Sequence, residues 1–300
     1  GGVWHNKNKI IIGCISAKGD RKISCGVTVI FIWPWTAKTG GRPLPGTGLR
    51  RMKHSFGRPW KPMPAWAFPI SGTGETDGAW DCWPSALPRS TPGAPLCKAG
   101  HYGAFIGEKY ADRKEFTALV EKQRSAGADF VKIMISGIMD FDRFGVLSEP
   151  GMDPGEIRQV ISAAKARGMS VMAHANGAET VRAAAEAGVD TVEHGAYLDR
   201  DALQACADNG VIWVRTLSAI GNLRGKGRFS EPDVERILAS AMENVALYAS
   251  MGGLIAPGTD AGAWAVPHGS LTEYALLKEC LGSGWETLLD RGARALEAQF

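Results

Sequence analysis

Four residues in the last two-thirds of the chain have side chains that together suit a divalent-cation site. They are Lys132, His174, His194 and Asp260. Each sits in or at the end of a short apolar run: Phe130-Val131-Lys132-Ile133-Met134, Met172-Ala173-His174-Ala175, Val192-Glu193-His194-Gly195 and Pro257-Gly258-Thr259-Asp260-Ala261. Imidazole nitrogen and carboxylate oxygen suit Zn²⁺ or a similar divalent ion. A lysine inside an apolar run is costly to bury unless it is neutralised or paired. Capture of CO2 as a carbamate would make its amine an anion able to bridge two ions; an internal ion pair is the alternative. A single histidine at a strand end is more often a hydrogen-bonded core residue than a ligand. Two on successive strands, followed by a Gly-Thr-Asp-Ala-Gly turn, are harder to explain that way. Glu193, next to His194, is expected on the opposite side of its strand because side chains alternate, as a structural partner of the helical layer.

These residues need a scaffold, and the surrounding sequence supplies one with a regular beat. A helical pattern over 112–126 precedes the run 130–135, and a second follows Pro154 and ends at Gly168. Then come strand 170–175, helix 178–187, strand 191–195, helix 201–209, strand 211–217, helix 232–250, strand 254–257 and helix 271–280. Gly127, Gly168, Gly188, Gly210 and Gly252 each fall between a helix and the next strand, where a left-handed cap is required. Successive βα units imply parallel strands joined by crossover helices, as a doubly wound sheet or a (β/α)8 barrel. No Gly-X-Gly-X-X-Gly follows an early strand, which removes the main support for a dinucleotide-binding sheet. The polar residues sit at strand C-terminal ends, which face the catalytic mouth of a barrel. The reading is α/β: a (β/α)8 TIM-type barrel with incomplete or irregular first units and no full β-sandwich domain.

In order and spacing the four motifs resemble the amidohydrolase superfamily, and within it the imidazolonepropionase-like and Xaa-Pro dipeptidase (prolidase-like) branch. The likeness runs over residues 100–282. It implies a barrel hydrolase with one or two divalent ions, zinc first among them, that activate water against a small amide, cyclic amide or dipeptide. By the resemblance Lys132 matches the carboxylated bridging lysine, His174 and His194 the second-metal ligands, and Asp260 the carboxylate that binds metal and accepts the proton of the attacking water. His101, in Gly100-His101-Tyr102-Gly103, resembles the substrate-facing histidine of a Gly-Gly-His-Gly-type loop. Tyr197, Arg215 and His268 follow the last three strands and are candidates for the substrate rim. A guanidinium such as Arg215 could hold a substrate carboxylate through two parallel hydrogen bonds, or pair internally within the barrel wall.

The family pattern opens with a His-X-His pair, and this chain has none: its histidines are 5, 54, 101, 174, 194 and 268. Residues 24–30 resemble the junction into the second barrel strand, so residues 9–24 would stand where the first helix belongs, with His5 a candidate remnant of the missing pair. The segment 31–96 has Pro34, Pro43, Pro45, Pro59, Pro62, Pro64 and Pro69, which interrupt any helix of normal length. Within it, residues 67–72 look like a third strand, while the text around them reads as a shifted frame. Translating the coding DNA in its other frames tests this. The tail 291–300 is a second candidate for such alteration.

Composition divides the chain at the same place. Residues 1–100 carry 14 Lys/Arg against 4 Asp/Glu and residues 101–300 carry 20 against 27, which the total of +3 conceals. We therefore read 1–100 as an irregular basic Trp/Pro-rich part of the barrel and 101–300 as its catalytic core. The basic third lacks any OB, RRM or zinc-finger pattern, so no nucleic-acid partner is expected. No apolar run approaches the length of a membrane span and no secretory signal is visible. The six cysteines form no Cys-X-X-Cys pair, as in reduced cytoplasmic proteins. A homo-oligomer is compatible with all of this. Two rival functions stay open: a truncated or frame-damaged, non-catalytic barrel relic, and a lyase or isomerase using Lys132 as a free amine.

Overall fold

The computed structural model describes residues 11–15, 26–30, 92–261, 266–267 and 270–300, and for the first two segments the backbone alone. His5, residues 31–91 with the proposed frame change and third strand, and His268 lie outside the described residues.

Seven parallel strands form one sheet: β3 (Leu96–Lys98), β4 (Glu108–Tyr110), β5 (Phe130–Met134), β6 (Ser170–Ala175), β7 (Thr191–His194), β8 (Ile212–Val214) and β9 (Leu254–Ala256). Their order is β4-β3-β5-β6-β7-β8-β9. From β5 onward each strand pairs with its successor in sequence, as crossover helices demand. The connecting helices are α1 (Arg113–Ser125), α2 (Pro154–Lys165), α3 (Ala178–Glu186), α4 (Arg200–Asp208), the short α5 (Ser218–Gly221) and α6 (Glu231–Ser250), and α7 (Thr272–Leu281) and α8 (Trp285–Gln299) follow β9.

Local chemistry sets the helix ends. The Asp112 side chain accepts from the Glu115 amide at the start of α1, and Asp153 accepts from the Gly155 amide beside Pro154 at the start of α2. All five glycines expected as left-handed caps have positive φ, from 65° to 84°. The helices bury one face against the outer side of the sheet, with Phe116, Ile157, Ile161, Val181, Leu203 and Val245 fully enclosed.

Two expectations for the chain ends are corrected. Residues 11–15 are not helical: β1 (Ile11–Ile15) is a strand, paired antiparallel with β2 (Gly26–Ile30). The isoleucine run favours extended backbone, where branched side chains lose little freedom. The tail 291–300 is no stray text but part of α8. Ala293 and Leu296 join Phe130, Met172, Ile212, Val214 and Ala256 in a second apolar cluster, and the Phe300 ring lies 4.3 Å from that of Phe130. Gly292 allows this approach, because a Cβ there would stand 1.9 Å from the Ile255 carbonyl oxygen.

Strand register sets the height of each inner residue. Lys132 pairs with Met172 and Met172 with Thr191; one layer higher Met134 pairs with His174, His174 with Glu193 and Glu193 with Val214. Polar groups therefore gather at the C-terminal end of the sheet.

Candidate active site

The floor of the site is an ion pair. Lys132 Nζ stands 2.5 Å from Glu193 Oε2, and Glu193 Oε1 accepts from the Thr191 hydroxyl at 2.6 Å. The lysine side chain is 9% exposed and the glutamate fully enclosed. A buried ammonium is thus offset by a carboxylate from two strands away. Burial pushes the Glu193 carboxyl above its ordinary range, against the pull of Lys132. Glu193 is therefore not a partner of the helical layer, and the expectation from alternation fails for a backbone reason. Thr191 and Glu193 both face inward on a regular strand, and His194 then turns left-handed, with φ 67°. That turn brings His194 back over the site although it is adjacent to Glu193.

Above the floor the two imidazoles meet edge to face, His174 and His194 having ring centroids 4.7 Å apart and planes inclined by 64°. His174 Nε2 lies 3.3 Å from the Gly137 carbonyl oxygen, which can only accept. Asn176 Nδ2 lies 3.4 Å from the same ring nitrogen. Burial, helped by the Lys132 charge, pushes the His174 pKa down to about 3. His194 is held well below its ordinary range by burial and by repulsion from His174, Lys132 and Arg215. Both rings are neutral at physiological pH, the state in which imidazole ligates a metal. The Asp260 carboxyl, at the end of β9 with φ 51°, is raised to about 7 by burial, with Lys132 opposing and Glu193 adding. Each of the four residues singled out from sequence is thus within electrostatic reach of another.

Supporting contacts come from residues that sequence reasoning did not single out. Asn176 ties three strand ends together: its Nδ2 donates to Gly137 O, its Oδ1 accepts from the Ala196 amide, and its own amide donates to Ser136 Oγ. In the loop after β3 it is the Tyr102 ring that stacks on His174, with centroids 5.0 Å apart. His101 is 36% exposed by its side chain and has Nδ1 3.6 Å from Glu149 Oε1; the same oxygen accepts from the Tyr102 amide at 2.5 Å. Asn176 alone lay near a sequence signal, two residues after His174 and just past the end of β6. Glu149 is 47 residues from its partner and offered none.

Among the rim candidates, Tyr197 has a left-handed backbone (φ 57°) and packs edge-on against Phe144, 5.4 Å away. Arg215 is not on a rim. It is 1% exposed and donates from Nη1 to the His194 carbonyl at 2.7 Å, the internal pairing left open from sequence. Burial lowers its pKa to about 10. His268 lies outside the described residues.

The donor types present suit a divalent ion: the buried His174 imidazole, the half-buried His194 imidazole and the Asp260 carboxyl, over a charge-balanced floor. Among the described residues, no three His, Cys, Asp or Glu side chains stand close enough together to hold a metal ion.

A parallel βα scaffold with polar groups at the C-terminal end of its sheet is an arrangement of the (β/α)-barrel type. Residues 91–300 match the profile of the Amidohydrolase family, and the chain belongs to that family. An uncharacterized protein of Mycobacterium tuberculosis is 26% identical over 197 residues, 63% of this chain and 52% of that protein. Aspergillus niger ochratoxinase is 29% identical over 108 residues, 36% of this chain and 22% of the enzyme. A crystal structure of a Xaa-Pro dipeptidase with bound methionine superposes with a TM-score of 0.56 at 26% identity, covering 68% of this chain and 54% of that one. The chain thus spans about half the length of the mycobacterial relative and of the dipeptidase structure. Among the described residues no helix is long and apolar enough to cross a membrane.

Proposed function

We propose that the protein is a metal-dependent amidohydrolase that cleaves a C–N bond in a small amide or dipeptide-like substrate. What supports this is that His174 and His194 lie ring to ring and the buried Lys132–Glu193 pair acts electrostatically on His174 and Asp260, all near the C-terminal end of one parallel sheet. Family membership and the dipeptidase and ochratoxinase relatives support the reaction class. His174 and His194 would supply imidazole ligands to the ion, zinc being the first candidate, and Asp260 a carboxylate. When bound, such an ion supplies a Lewis acid that makes water a nucleophile near neutral pH. Asp260 has a carboxyl titrating near neutrality, suited to taking a proton from the attacking water and returning it to the leaving nitrogen. The Lys132–Glu193 pair keeps the floor electrically balanced, and carboxylation of Lys132 by CO2 would require that pair to open. His101 and Tyr197 would contribute substrate contacts, whereas Arg215 supports His194 through its carbonyl.

One experiment tests the reading. Purified protein loaded with zinc is assayed on Xaa-Pro dipeptides and N-acyl amino acids, before and after chelation and after zinc is restored. Chelator-sensitive, zinc-restored hydrolysis is expected; no zinc retention and no turnover of any substrate overturns it. That negative outcome favours the second reading, a non-catalytic barrel, for which the observation is the missing His-X-His pair. A Schiff-base role for Lys132 is opposed by Glu193, which stabilises the ammonium form, and borohydride trapping with a carbonyl compound would detect it.

A further inference from the structure

The inner polar groups of β5, β6 and β7 are accounted for above, but one residue just beyond β8 touches the site without a role. Thr216 follows Arg215, is 1% exposed, and has a left-handed backbone with φ 54°. Its Oγ1 lies 2.8 Å from His194 Nδ1. A β-branched residue with positive φ is strained by roughly 1–3 kcal/mol and persists only where its surroundings fix it. Glycine would relax that backbone, so a threonine there calls for another reason.

The whole segment 213–216 grips His194. Trp213 Nε1 and Arg215 Nη1 both donate to the His194 carbonyl, at 3.1 and 2.7 Å. Gly195 makes the grip close, since a Cβ there would meet Trp213 Nε1 at 2.4 Å. The Thr216 methyl lies next to Gly258 of the Gly-Thr-Asp-Ala-Gly turn, whose hypothetical Cβ would sit 3.6 Å from it. With the carbonyl held by two donors and the Thr216 methyl seated over Gly258, the hydroxyl is directed at one ring nitrogen of His194.

We propose that Thr216 is a positioning residue that sets the tautomer of His194: it accepts from Nδ1–H and so leaves the Nε2 lone pair, on the opposite edge of the ring, for a divalent cation. This rests on the metal-site reading for its consequence, while the tautomer itself is a property of the metal-free protein. Hydrogen-bond partners of metal-ligating histidines act in this way, and their removal commonly weakens metal binding by about 10–100-fold.

The test has two readouts. First, ¹⁵N shifts of the imidazoles in metal-free protein report which nitrogen of His194 bears the proton. Wild type is expected as Nδ1–H, Thr216→Ser the same, and Thr216→Val as a mixture or the Nε2–H form. Second, zinc affinity is measured by competition with a chromophoric chelator, and the coordination environment is read from the visible spectrum of the cobalt-substituted protein. Thr216→Val is expected to bind zinc about 10–100-fold more weakly, with an altered cobalt spectrum and an unchanged far-ultraviolet circular dichroism spectrum. Thr216→Ser is expected to rescue both. Nε2–H in the wild type, equal zinc affinity in Thr216→Val, or failure of Thr216→Ser to rescue would each overturn the proposal. Nδ1–H in a wild type that binds no zinc would uphold the tautomer assignment and defeat the metal-site reading, so the two failures are separable.

Discussion

Replacing Glu193 by glutamine removes the carboxylate that offsets Lys132 while leaving shape nearly intact. At 2.5 Å the pair's attraction is large, about 7 kcal/mol at an effective dielectric of about 20, but most of it repays the desolvation of two buried ions. The measurable cost is that of leaving the ammonium enclosed without its partner, commonly about 3–5 kcal/mol. Asp260 also lies in the field of Lys132 and can take up part of the charge, which puts the expectation near 3 kcal/mol. For a folded region of this size that is a fall in Tm of roughly 6–12 °C. Thermal and urea unfolding of the metal-free protein would measure it, alongside Lys132→Met and the double variant Lys132→Met/Glu193→Gln. The double variant should recover at least about 1.5 kcal/mol of the summed single losses, because the ammonium that Glu193→Gln strands is then absent. Strict additivity, or a loss below about 1 kcal/mol in Glu193→Gln, would refute the account of Lys132 as a buried ammonium balanced by Glu193.

Three further outcomes are expected. Glu273 of α7 is fully buried, accepts from the Ser218 amide at 2.6 Å, and is raised by burial to about 7 from 4.5. Because the unfolded chain loses that proton first, stability should fall as pH rises from about 4.5 to 7 and level off above; Glu273→Gln should flatten that slope by up to about 3 kcal/mol, and an identical pH profile in both proteins would contradict it. Glu149→Ala removes the acceptor of the Tyr102 amide, so hydrogen exchange at Tyr102 should accelerate by about 10-fold or more, about 1.4 kcal/mol of lost protection; unchanged exchange would show that the loop is held by other contacts. Gly292→Ala, which on helix propensity alone should stabilise by about 1 kcal/mol, should instead destabilise by about 1–3 kcal/mol, because its Cβ would meet the Ile255 carbonyl; a raised Tm would sink the described packing of α8.

The parallel core was legible in sequence because each element obeys a simple period and is closed by a local signal. Gly168 and Gly210, for example, mark helix ends and take up left-handed backbone as expected. The ligand-type residues were legible for the same reason: His174 ends a regular strand, and its inward direction follows from period two. Three things were not. The four-residue helix α5 is too short to show a period. The tail helix α8 carries Gly292 and two arginines, which look like breaks until the close approach to β9 supplies a reason for the glycine. Glu149 and Thr216 act through contacts 47 and 22 residues away in sequence, distances at which a single chain carries no pattern.

The misreading of Glu193 points to a rule about this site. Side-chain alternation holds only while the backbone stays extended, and here it stops at His194. The non-glycine residues with positive φ among those described are His194, Tyr197, Thr216 and Asp260, and all four follow or close strands β7, β8 and β9 at the same end of the sheet. Each carries a cost of roughly 1–3 kcal/mol that a glycine would avoid. Elsewhere the chain meets the same backbone demand with glycine, as at Gly168 and Gly210. Where it does not, the side chain must matter more than the strain. Two of the four are the proposed ligand and the proposed proton carrier, and a third holds the ligand's ring. By the same argument the Tyr197 ring, packed on Phe144, outweighs the strain of its left-handed backbone: Tyr197→Gly should lower the Tm although it relaxes φ, and a raised Tm would refute the argument.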